Sequence, residues 1–234
     1  LVNLYADFEG RHVTPVEPET MHERALQIEA DLESWKAVAP HAWTCTVVDN
    51  FSAKSCQIDH SMIYNGKRHE YPSPSVAVLW NHWRILSILV HQLLIRIINT
   101  FDDSSVEAFQ CGSYTRAHSE SRIREFSDDV CTSVASFMNT PRESTSQRAN
   151  KTYSHSSLTG LPNLIWPLYI VALDDLNLDS MRAFAMQQLR SIAASTGIRQ
   201  ASLLAKSAKD GKSWTTILGG TDDRRFTYNH LCEW

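Results

Sequence analysis

From Val76 to Phe101 the chain reads VAVLWNHWRILSILVHQLLIRIINTF, and this stretch decides the fold. Leu79, Trp83, Leu86, Val90, Leu93, Ile97 and Phe101 recur every three or four residues, which is the period of an α-helix rather than a strand. Ile85, Ile88 and Ile95 fall toward the other face. A helix that is apolar on both faces is one surrounded by neighbours. Its length at the helical rise is roughly 40 Å, the width of a whole domain. The same stretch holds Asn81, His82, Arg84, His91, Gln92 and Arg96. Each charged residue at bilayer depth costs about 2.5–3.5 kcal/mol, so the reading is a buried central helix and not a membrane span. Tyr71-Pro72-Ser73-Pro74-Ser75 forms a stiff lead into it.

Working outward, Glu19 to Val38 has helical spacing through Met21, Ala25, Ile28, Leu32 and Trp35. Pro40 ends it, because proline disfavours helix in the residue before it. Residues 41–72 carry turn formers and no sustained period; Thr44 to Val48 is at most a short extended piece, and no sheet is expected. Ser119 to Met138 predicts a further helix, with Ile123, Phe126, Val130, Val134 and Phe137 in register. Residues 139–160 are rich in Ser, Thr, Asn and charge, and read as a loop. Pro162 to Leu176 predicts another apolar helix with proline in its first turn. Asp179 is the expected N-cap of a helix from Ser180 to Thr196, Gly197 the bend that ends it, and Ile198 to Ala208 a last short helix. The tail at 209–234 has no clear period. The expectation is a single domain spanning 1–234, all-α, an irregular multi-helix bundle around a long central helix.

Composition bounds the function. The 234 residues carry a formal net charge of -4 and are 43% hydrophobic, enough for one sizeable core. A domain that grips phosphate backbones needs a basic excess, so direct DNA contact by this segment is not expected. The cysteines, Cys45, Cys56, Cys111, Cys131 and Cys232, are odd in number and widely spaced. None forms the close pair of a tetrahedral zinc site. They read as reduced, mostly buried small residues.

Several segments together carry a family resemblance. Ala77-Val78-Leu79-Trp80-Asn81-His82-Trp83-Arg84-Ile85-Leu86 resembles the tryptophan-asparagine-aromatic-arginine helix of the regulatory region of fungal-specific Zn2Cys6 transcription factors. Asp128-Asp129-Val130-Cys131-Thr132-Ser133-Val134 is similar to that family's acidic-aliphatic-cysteine-small-serine-valine helix. Trp166-Pro167-Leu168-Tyr169 matches its tryptophan-proline-leucine motif. Arg182 to Ala205 resembles its closing segment, and Glu23 to Pro40 its opening helix. The order agrees, over roughly residues 20–208. Ala135 replaces a proline often found after the serine-valine pair, and the family's six-cysteine zinc cluster is absent, so DNA binding does not carry over. The resemblance implies a ligand- or partner-sensing regulatory domain that controls pathway-specific genes such as those of secondary metabolism. It implies nuclear localisation, a small-molecule effector, a homodimer, and DNA reached only through a zinc cluster outside this chain. No cofactor and no membrane partner are expected. The alternative is a stand-alone enzyme or small-molecule binder of a secondary-metabolite pathway built on the same fold.

The candidate ligand site lies on the central helix. Arg84, Ser87 and His91 fall on one stripe, with Trp80 beside it. Facing a cleft, this stripe could anchor an anionic or oxygenated molecule; the plainer reading is that these groups satisfy loops or face solvent. A buried arginine needs a partner, so a carboxylate or ligand beside Arg84 is a direct consequence of burial. Trp166 and Tyr169 are candidates to line a pocket or dimer surface, although core packing is the commoner role of aromatics at helical spacing. No catalytic residue is assigned. The pairs Asp102-Asp103, Asp128-Asp129, Asp174-Asp175 and Asp222-Asp223 invite comparison with aspartate-rich magnesium sites. Asp is also common at helix ends for backbone capping, and no metal is expected. HExxH, GxSxG and phosphate-loop patterns are missing.

Overall fold

The computed structural model describes residues 4, 18–49, 60–101, 116–137 and 160–210. The Asp102-Asp103 and Asp222-Asp223 pairs, most of the predicted loop at 139–160, and the tail beyond 210 lie outside the described residues. Six α-helices are described: α1 (Pro18–Val38), α2 (Pro74–Phe101), α3 (Arg116–Ser133), α4 (Pro162–Leu173), α5 (Asp179–Thr196) and α6 (Arg199–Lys209). They form the expected helical array. None is long and apolar enough to cross a membrane among the described residues.

The 28-residue α2 packs most extensively on α3, and also on α1 and α4. Its buried positions include Ala77, Trp83, Ile85, Ile88, Val90, Leu93, Leu94 and Ile97. The sequence placed Leu79 and Leu86 on this inner face; they are instead 40% and 42% exposed. The inner face is drawn by Asn81, Arg84, Ser87 and His91, all buried. Polar groups that find partners inside can hold a position that hydrophobicity alone assigns to leucine. Helix α3 continues as a 3-10 turn at Val134–Phe137, burying Ile123, Phe126, Val130 and Cys131. Helices α4, α5 and α6 pack in sequence order.

Two further sequence expectations change. Residues 41–72 hold a small antiparallel sheet: β1 (Thr46–Asp49) pairs with β2 (Lys67–Glu70), with Val47 opposite His69. It escaped periodicity because the two strands are four residues each, and β2, Lys67-Arg68-His69-Glu70, is wholly polar. Such a pair is marginal alone and is held by packing of β2 on α3 and the following 3-10 turn. Secondly, Asp179 is not the N-cap of α5. That place is Leu178, in extended conformation with no side-chain cap, and Asp179 stands in the first turn, where its charge still suits the helix dipole. Gly197 ends α5 as expected, in the left-handed conformation at φ 73°.

Candidate functional site

Helix α2 turns Asn81 and Arg84 toward α3, because three residues nearly complete one turn. Arg84 is only 2% exposed. Its Nη1 donates to the Tyr71 hydroxyl at 2.7 Å and to Asn81 Oδ1 at 2.9 Å. Its Nε donates to Asp129 Oδ2 at 3.2 Å. The partner that burial demanded is therefore Asp129, on α3. His69 of β2 closes a ring: its Nδ1 lies 3.0 Å from the Tyr71 hydroxyl, and its Nε2 lies 3.5 Å from Asp129 Oδ1.

Electrostatics assigns the protons. Desolvation and the Arg84 charge push His69 down to about 4, against the opposing pull of Asp129. The imidazole is thus neutral at pH 7. With Tyr71 accepting from Arg84, its O–H is free to donate to His69 Nδ1. His69 Nε2 then carries the hydrogen that faces Asp129. Burial pulls the Arg84 pKa down, but Tyr71 and Asp129 outweigh it and hold it above the ordinary value. The Tyr71 phenol is raised, chiefly by desolvation, and stays protonated.

The ring is anchored further. Asn81 Nδ2 donates to Ser133 Oγ at 2.9 Å, and Ser133 Oγ donates to the Val130 carbonyl at 2.7 Å. Ser136 Oγ donates to the His69 carbonyl at 2.7 Å. One polar network thus joins α2, α3, the 3-10 turn and the sheet. Of its members the sequence singled out only Arg84 as a ligand candidate. Asp129, Asn81 and Ser133 stood in the quoted motifs without a stated pairing. Tyr71 and His69 gave no signal, because their roles depend on the unforeseen sheet.

The other predicted site residues go elsewhere. Ser87 Oγ donates to the Trp83 carbonyl one turn back, at 3.0 Å. His91 points to α1 and α3: its Nδ1 lies 3.3 Å from Ser119 Oγ and its Nε2 3.4 Å from Glu29 Oε1. Desolvation, with help from Arg122 and His118, pushes His91 down to about 4. At pH 7 the ring is therefore neutral, and its 3.4 Å approach to Glu29 is not an ion pair. Trp80 Nε1 donates to the Trp43 carbonyl at 2.8 Å, and its ring meets Trp35 and Trp83 edge-on, each at 5.6 Å. Trp166 and Tyr169 pack on one another at 5.7 Å, and the buried Tyr169 ring brings its hydroxyl 3.5 Å from Ser207 of α6. The stripe and the α4 aromatics thus belong to separate clusters.

A shallow open depression of about 320 Å³ between α5 and α6 is lined by Arg190, Gly197, Ile198, Arg199 and small residues, and by none of the predicted site residues. Asp174 serves its own turn: it accepts from Gln92 at 2.7 Å and from the Leu176 backbone N–H at 2.9 Å. Among the described residues, no group of three or more His, Cys, Asp or Glu is arranged to hold a metal ion. Cys131 is buried and its thiol is pushed up by desolvation, the opposite of a nucleophile's need.

Comparison of the chain with protein-family models, curated proteins and solved structures finds no match in any of the three.

Proposed function

We propose that this chain is the regulatory region of a fungal Zn2Cys6-type transcription factor. In this reading it senses a small molecule or a partner in the nucleus, and DNA is reached only through a zinc cluster outside it. The observation that carries the reading is the meeting of two motifs on which the resemblance rests. Asn81 and Arg84 of the tryptophan-asparagine-aromatic-arginine helix bond to Ser133 and Asp129 of the acidic-aliphatic-cysteine-small-serine-valine helix. These motifs are separated by about fifty residues in sequence. Their polar residues make sense as a set only when the two helices pack face to face, which gives a physical reason for both patterns in one chain. The acidic balance, a net charge of -4, agrees with a domain that leaves DNA contact to another part.

The test is chromatin immunoprecipitation from the source cells with an antibody to this segment, together with the intact mass of the captured protein. The expected result is recovery of discrete promoter sites on a polypeptide much heavier than 26.5 kDa that carries a six-cysteine cluster. A native species of 26.5 kDa recovering no specific DNA, alone or through a partner, sinks the reading and moves the stand-alone binder or enzyme ahead.

A further inference from the structure

We propose that Asp129 is a tethered occupant of an anion site whose base is Arg84, and that a small-molecule carboxylate binds there in its place. The proposal deepens the sensing reading by naming the site and the chemical class of effector, and it rests on that reading only for its biological use.

The buried guanidinium is oriented by Tyr71 and Asn81. Both are neutral acceptors, so they fix its plane without cancelling its charge. The anion that does so meets a single nitrogen, Nε, at 3.2 Å. Nη2, on the same edge of the fork as Nε, makes no hydrogen bond to a described residue. A carboxylate free to choose its position on a guanidinium frequently bonds two nitrogens in parallel. Asp129, carried on α3, meets only Nε. An untethered carboxylate can take both Nε and Nη2. It also keeps the third donor, His69 Nε2, which now faces Asp129 Oδ1 at 3.5 Å. The approach is through Asp129 itself: the Asp129 side chain is 37% exposed, whereas that of Arg84 is 3% exposed. Turning Asp129 outward moves a hydrated group into water and uncovers a buried cation. A planar carboxylate restores the charge balance that a neutral ligand cannot.

The probe is acetate, titrated into the 234-residue chain with chloride replaced ion for ion, and read by thermal unfolding and by the NMR signal of the Arg84 Nε–H. Asp129→Ala opens the site. Its melting temperature should rise with the logarithm of acetate concentration above the Kd, by about 3–6 °C once acetate exceeds its Kd tenfold. In the wild-type chain the same NMR signal should move with an apparent Kd at least tenfold weaker, because Asp129 competes. Arg84→Met in the Asp129→Ala background removes charge and counter-charge together, and should fold without an acetate response. The proposal is overturned if Asp129→Ala responds to acetate no more than to chloride, or if the double variant responds equally. Should Asp129→Ala fail to fold, the wild-type titration decides alone: an Arg84 signal unmoved into the molar range of acetate overturns it. A failed titration beside successful promoter recovery removes the site and leaves the regulator; the reverse pattern removes the regulator and leaves the site.

Discussion

The Arg84–Asp129 pair makes a quantitative prediction about how the sheet and the two helices are held together. Arg84 is 2% exposed and stays charged. Breaking a fully buried ion pair from one side costs about 3–5 kcal/mol, whereas a surface pair is worth at most about 1 kcal/mol. Asp129 stands between these limits with a side chain 37% exposed. Asp129→Ala strands the guanidinium with two neutral acceptors, and should cost about 2–4 kcal/mol. Arg84→Met leaves less undone. The Tyr71 hydroxyl keeps His69, Asn81 keeps Ser133, and Asp129 can turn to water, so the cost should be about 1–3 kcal/mol. The double variant should cost little more than Arg84→Met alone, giving a coupling energy of about 2–3 kcal/mol. Equilibrium urea unfolding measures all four corners of the cycle. In thermal scans the middle of the range for Asp129→Ala corresponds to a fall of about 6–12 °C for a chain of this size. If the two single costs add to within about 0.5 kcal/mol, the residues are not energetically coupled, and both the network argument and the motif pairing built on it are wrong.

The remaining predictions concern acid, the core and one turn. His69 and His91 are both pushed down to about 4 in the folded chain, below the ordinary 6.5. Depressed histidines favour the folded state fully above the unfolded pKa. Stability should thus fall as pH drops from about 6.5 toward 4, by up to about 3 kcal/mol for each ring; urea midpoints at pH 7 and pH 4.5 in His91→Gln and wild-type chains should show a shallower fall in the variant. Phe126→Ala should destabilise by about 3–5 kcal/mol, since the fully enclosed ring packs on Trp83 at 5.0 Å and carries Arg122 over its face at 4.3 Å; a loss under about 1 kcal/mol would mean that α3 does not pack as described. Gly197 has φ +73° with open space around its Cα. Gly197→Ala should therefore cost about 1 kcal/mol from backbone conformation alone, with Gly197→Asn cheaper by calorimetry because asparagine tolerates that region.

How much of this was legible in the chain follows from what each feature depends on. Helix α2 was readable because its apolar residues repeat at short range, and the prolines at 72, 74 and 162 marked where two helices begin. Gly197 was readable because only its residue type fits the left-handed turn at low cost. The β1–β2 sheet was not, since strands of four residues give little alternation and β2 shows none. Leu79 and Leu86 misled because hydrophobic spacing identifies a helix but does not say which of two apolar faces is covered.

By itself, then, the sequence determined the all-α class, the central helix, the limits of most elements, and the rule that a buried Arg84 must have an anionic companion. Those follow from local periodicity and from the cost of burying an unpaired charge. Only the tertiary structure decided that the companion is Asp129, that Tyr71 and His69 close the ring, and that His91 turns to α1 instead of joining Arg84. Hydrogen-bond partners among the described residues lie as far as 127 residues apart along the chain, and no local pattern encodes which distant groups meet when helices pack.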